Sequence, residues 1–83
     1  MKELIKRLCS KNGVSGAESE AALFCRDYLS EFSDAVIDIN GNVVASFGDK
    51  DADQCVLIDA HLDQIGFIVT FIDDSGFIKA SAC

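Results

Sequence analysis

The hydrophobic period of this chain changes once, near Ala35, and that switch does most to set what the chain can fold into. Before it, Leu4, Ile5, Leu8 and Cys9 recur at helical spacing, and Asn12-Gly13 supplies a helix stop. Ser15-Gly16-Ala17-Glu18 has the form of a capping box, with the serine hydroxyl expected on the first free amides and Glu18 reaching back. The stretch that follows sets Ala21, Phe24, Cys25, Tyr28, Leu29 and Phe32 on one helical stripe. After Ala35 the pattern is that of strands. Val36–Ile39 and Val43–Phe47 flank Asn40-Gly41, a strong hairpin signal.

Gly48–Gln54 is polar and reads as a loop. Cys55-Val56-Leu57-Ile58 is a continuous apolar run, the pattern of a strand covered on both faces. Gly66–Ile72 and Phe77–Ala80 form a second strand pair across Asp73-Asp74-Ser75-Gly76. The expected fold class is therefore α/β, two N-terminal helices followed by about five strands. A doubly covered strand needs helices on both sides of the sheet, and only two helices are on offer. The pattern therefore suggests an incomplete sheet.

Charge and length remove several function classes. At a net charge of −7, with Lys2, Lys6, Arg7 and Lys11 gathered near the start, no basic surface is predicted for nucleic acid. The most apolar run, Ile65–Ile72, is too short to span a bilayer, and no signal peptide is apparent near Met1. A cytoplasmic location is expected. Cys9, Cys25, Cys55 and Cys83 include no C-x-x-C pair, which favours reduced core thiols, with Cys83 as a candidate exposed one. Hydrophobic residues make up 49% of only 83 positions, so some apolar surface is expected to need cover from a partner or from further chain.

The segment Asp59-Ala60-His61-Leu62-Asp63-Gln64-Ile65-Gly66 carries the chemistry. Ligands of open α/β sheets collect beyond the carboxyl ends of strands, and this segment follows the apolar run directly. His61 is the only histidine, and its neutral imidazole can give a nitrogen lone pair to Zn²⁺ or a similar ion. In extended backbone Asp63 projects the same way, where it can accept the other ring N–H and fix the tautomer. The competing reading is a strand-end histidine bonded to backbone, with Asp63 capping a turn.

Other candidates are weaker. Asp49, Asp51 and Asp53 alternate as in a calcium loop, but Gln54 and Ala60 stand where an EF-hand needs glycine and glutamate. No glycine-rich phosphate loop is present. Ser15 and the cysteines lack an evident base, so nucleophilic catalysis is not expected.

Four stretches, in order and spanning nearly the whole chain, resemble the M42 family of metallo-aminopeptidases (glutamyl and tetrahedral aminopeptidase types). Gly13-Val14-Ser15-Gly16-Ala17-Glu18 is similar to the family's G-P-S-G-x-E. Asp38-Ile39-Asn40-Gly41-Asn42-Val43-Val44-Ala45 resembles its D-x-x-G-N hairpin. The segment from Asp59 to Val69 resembles its A-H-M-D-E-I-G-F-x-V, and Gly76-Phe77-Ile78 fits the glycine-aromatic strand that follows. Val14, Leu62 and Gln64 depart from the usual Pro, Met and Glu.

The resemblance implies that residues 1–83 are the N-terminal portion of a zinc-peptidase-like α/β/α catalytic domain, with 76–83 as a candidate first strand of the family's inserted dimerisation domain. It assigns His61 as a ligand of one of two divalent metal ions, commonly zinc or cobalt, and Asp63 as the catalytic carboxylate that orients it. Gly66 would let the chain turn closely behind the site. The bridging aspartate, the glutamate base and the other ligands of the family lie downstream of these residues. The implied parent is a homo-oligomer acting on short peptides, and this chain alone would be inactive, holding at most one weakly bound ion. The alternative is a truncated, non-catalytic relative serving as a partner-binding or small metal-binding module.

Overall fold

The computed structural model describes all residues, Met1 to Cys83. Two helices, α1 (Lys2–Cys9) and α2 (Ser19–Leu29), precede four strands: β1 (Asp34–Ile37), β2 (Val43–Ser46), β3 (Phe67–Ile72) and β4 (Ile78–Ala82). The strands form two separate antiparallel pairs, β1 with β2 and β3 with β4. This α-then-β order is the one the change of period predicts.

α1 is short and amphipathic, with Glu3 in its first turn and Lys6 and Arg7 in its last, which suits the helix dipole at both ends. Its basic end docks on α2 through Phe24. The Arg7 guanidinium lies 5.1 Å and the Lys11 ammonium 5.7 Å from that ring's centre. Asn12 adds hydrogen bonds from its backbone and side-chain nitrogens to Glu20 (3.3 and 3.0 Å). Ala21 and Ala22 on α2 are the buried apolar side chains, 4% and 3% exposed. Tyr28 stacks on Phe24 and tilts against Phe32, which lies beyond the helix end and is exposed.

Both hairpins turn by the same chemistry. In the first, Asp38 accepts backbone N–H bonds from Asn40 and Asn42 at its carboxylate and from Gly41 at its carbonyl. In the second, Asp73 does the same with Ser75, Phe77 and Gly76. Gly41 (φ 86°) and Gly76 (φ 84°) take the left-handed conformation that follows such a turn. No residue other than glycine has positive φ. Asn40-Gly41 therefore makes a hairpin as expected, but not the two-residue I′ turn, which would need both residues left-handed.

Three expectations are corrected. Cys55–Ile58 is not a strand, so there are four strands rather than five. Val56, Leu57 and Ile58 are 86%, 88% and 90% exposed in an irregular segment. Each strand that does form takes its hydrogen bonds from its own hairpin partner, which leaves no neighbour for this run. Ser15 does not cap α2. That helix starts later, with Glu18 in the cap position and no side-chain cap, while the Glu18 carboxylate accepts the Gly16 N–H (2.8 Å). The cysteines are all free, and Cys83 is exposed as expected, but Cys9 and Cys55 are exposed rather than in a core. Partial burial raises the Cys25 thiol pKa above its ordinary value.

The whole is elongated, 62 × 27 × 16 Å, with a radius of gyration of 17.1 Å. A compact domain of this length would have about 12 Å. The first hairpin lies against α2, and alternate residues Ala35, Ile37, Val43 and Ala45 are half-buried. The second has exposed residues on both faces of both strands.

Candidate metal-ligand site

The site forms where the link between the helices meets the segment before β3. Gln64 donates its backbone N–H to the Gly13 carbonyl (2.7 Å), and Val14 and Gln64 form a parallel bridge. The Gln64 side-chain amide donates to the Lys11 carbonyl (2.7 Å). A glutamate here would carry no proton to give at neutral pH, so the Gln64 departure has a structural reading: it adds a donor that clamps the link just beyond α1. Gly66 completes the clamp. A Cβ at this position would collide with the Val14 isopropyl group, so glycine is required by close approach to that side chain rather than by a left-handed turn.

This clamp brings together His61, Asp63 and Ser15. His61 Nδ1 lies 3.0 Å from Asp63 Oδ1 and 3.0 Å from the Asp63 backbone oxygen. Both partners are acceptors, so Nδ1 carries the proton and Nε2 keeps its lone pair. The two readings left open by the sequence, a ring bonded to backbone and a ring bonded to the carboxylate, occur together. The other carboxylate oxygen, Oδ2, accepts the Ser15 hydroxyl at 2.5 Å. The Ser15 hydroxyl first, and then the His61 ring N–H, hold the Asp63 pKa below its ordinary value. The imidazole side chain is 85% exposed, which leaves Nε2 accessible.

The expected setting of this group is corrected in one respect. It does not sit in a crevice at the end of a covered strand, because residues 55–58 are irregular and exposed. The candidate acids elsewhere stay apart. Asp49 is occupied by its own turn, accepting the Asp51 N–H (2.9 Å). No cluster of three or more His, Cys, Asp or Glu side chains is placed to hold a metal ion. As a donor set, a tautomer-fixed imidazole with a free Nε2 fits a borderline-soft divalent ion as one ligand, and one ligand does not make a tight site. Ser15 was not legible as a partner of Asp63, since the two lie 48 residues apart and meet only through the clamp.

An exposed loop of this short α/β chain thus carries a carboxylate-oriented histidine with one ring nitrogen free. The profile of the M42 glutamyl aminopeptidases matches residues 41–82, and the chain belongs to that family. It is 36% identical over 83 residues to a candidate aminopeptidase of Acetivibrio thermocellus, covering 99% of this chain and 24% of that protein. It is 36% identical over 78 residues to the candidate aminopeptidase FrvX of Escherichia coli (strain K12), covering 93% of this chain and 21% of that protein. To the lysyl aminopeptidase of Pyrococcus furiosus it is 38% identical over 79 residues, covering 93% of this chain and 22% of that protein. The chain thus spans less than a quarter of the length of these relatives. No solved structure matches it. No helix is long and apolar enough to cross a membrane.

Proposed function

We propose that this chain forms the N-terminal part of the catalytic domain of a metal-dependent aminopeptidase that removes N-terminal residues from short peptides in the cytoplasm. The observation that carries the reading is the His61–Asp63 contact in a chain of this family: a protonated Nδ1 held at 3.0 Å by a carboxylate, with Nε2 exposed. In this role His61 Nε2 is one ligand of a two-metal site, with zinc or cobalt as the ions. The chemistry such ions would supply there is Lewis acidity and a lowered pKa for a water nucleophile. Asp63 keeps the His61 tautomer and raises the basicity of Nε2, while the clamp at Gln64 and Gly66 holds both residues against the helix pair.

The remaining ligands and a general base would come from the length of the relatives that this chain does not span. On the same reading residues 76–83 lead toward the inserted dimerisation domain, and the assembled protein is a homo-oligomer. The 83-residue chain alone is inactive. A chimera in which residues 1–83 replace the aligned segment of the Pyrococcus furiosus lysyl aminopeptidase tests the proposal. Metal-dependent release of nitroanilide from amino-acid nitroanilides, lost in His61→Ala, is the expected result. A chimera as active with His61→Ala as without it would defeat the assignment.

A second reading has support from one observation, the exposure of Val56, Leu57, Ile58 and both faces of the second hairpin. In that reading the chain is a non-catalytic relative that docks a partner through apolar surface. Sedimentation of the chain tests this reading, because a well-behaved monomer at high concentration would count against a partner-seeking surface.

A further inference from the structure

We infer that Ser15 is a positioning residue for His61, acting through Asp63; this rests on the metal-ligand reading above and adds a third member to it. A carboxylate held at one oxygen can still rotate about its terminal bond and exchange its two oxygens. Asp63 is held at both, with Oδ1 on the His61 ring N–H and Oδ2 on the Ser15 hydroxyl. The side chain of Asp63 is 42% exposed, so without a second anchor water competes for either oxygen.

Ser15 itself is well placed to be that anchor. The preceding Val14 carbonyl accepts the Ala17 N–H (2.7 Å), the following Gly16 N–H is bound by Glu18 (2.8 Å), and Val14 lies against Gly66. The link is thereby fixed on both sides of the serine. The hydroxyl is also released from the work its sequence context suggests, because α2 has no side-chain cap. The outcome is a chain of donors and acceptors: Ser15 O–H to Asp63 Oδ2, and His61 Nδ1–H to Asp63 Oδ1. Its consequence is chemical as well as structural. By restraining the carboxylate, Ser15 favours the ring form whose Nε2 lone pair faces outward.

The test is the His61 tautomer, read from ring ¹⁵N shifts of the metal-free 83-residue chain at a pH where the ring is neutral. The unsubstituted chain is expected to show mainly the Nδ1–H form. Ser15→Ala should reduce that predominance, with the Asp63 backbone oxygen left as the one fixed acceptor for Nδ1–H, and Ser15→Thr, which keeps the hydroxyl, should restore it. Ser15→Val matches threonine in shape and should behave like alanine, which separates the hydroxyl from packing. The Ala21 and Ala22 amide signals report whether α2 stays folded in each variant. An unchanged tautomer in Ser15→Ala and Ser15→Val overturns the inference. So does loss of the α2 signals in both hydroxyl-free variants, since Ser15 would then support the fold and not the ring. Adding Zn²⁺ to the same samples keeps the two ideas distinguishable. A tautomer that depends on Ser15, in a ring that ignores zinc, would sink the metal role and leave the positioning role standing.

Discussion

The two hairpins share one turn and differ in almost everything else. Asp38 and Asp73 each gather two backbone N–H bonds at the carboxylate and a third at the carbonyl, and Gly41 and Gly76 each supply the left-handed residue. The first hairpin then lies on α2 with alternate side chains half-buried, while the second exposes both faces, Phe67, Val69, Phe71 and Ile78 among them. Turn chemistry is thus sufficient to pair two strands locally, whereas burial depends on what else the chain provides. Cys55–Ile58 marks the limit of that rule. It has the apolar content of an interior strand, but no local turn returns a partner to it, and it remains unpaired.

The largest way to break the comparison is to attack the packing that only one hairpin has. Ala22→Asp places a carboxylate at a site 3% exposed, at a cost of about 2–4 kcal/mol. Amide exchange should then accelerate in α2, β1 and β2, with β3 and β4 unchanged. Equal acceleration in all four strands would mean that the hairpins are not independent.

A smaller effect sharpens the likeness between the turns. Gly41→Ala and Gly76→Ala each force a Cβ into the left-handed region, for about 1–2 kcal/mol, with open space around both positions. Similar losses of cross-strand protection in the two hairpins are expected. A much larger loss at Gly41 would show that the first turn relies on α2 as well as on its own geometry.

The smallest effect is a pH dependence in the first hairpin. The Asn42 side-chain amide, more than the backbone N–H groups, holds Asp38 below its ordinary pKa. A depressed folded-state value means that the carboxylate stabilises the turn above its unfolded pKa, near 3.8, and that this contribution is lost as pH falls through the folded value. Protection of β1 and β2 amides should therefore decline below about pH 4. Asp38→Asn should remove that decline.

Much of this architecture was legible in the sequence because it is local. Helix periodicity located α1 and α2, Asn40-Gly41 located the first turn, and Asp73-Asp74-Ser75-Gly76 located the second. Their place after an apolar run, and then the resemblance to the M42 family, drew attention to His61 and Asp63, and the structure puts their side chains in contact. What the sequence hid depends on separation. The Ser15 hydroxyl looked like a helix cap because its only near neighbours were helix amides, yet it bonds a carboxylate 48 residues away. Gln64 stood out only as a departure from the family's glutamate, and it is a donor to the Lys11 carbonyl, just beyond α1. The apolar run at residues 55–58 signalled a need for burial, which is a different matter from a means of burial.

The central claim is that the exposed His61 Nε2 is the nitrogen offered to a divalent ion while Asp63 keeps the proton on Nδ1. Titrating the chain with Zn²⁺ while following both ring nitrogens tests it most directly. Weak binding is predicted, with the Nε2 resonance moving, Nδ1 remaining protonated, and no comparable binding in His61→Ala. Zinc carried by Nδ1, or binding of equal strength without the imidazole, would contradict the account.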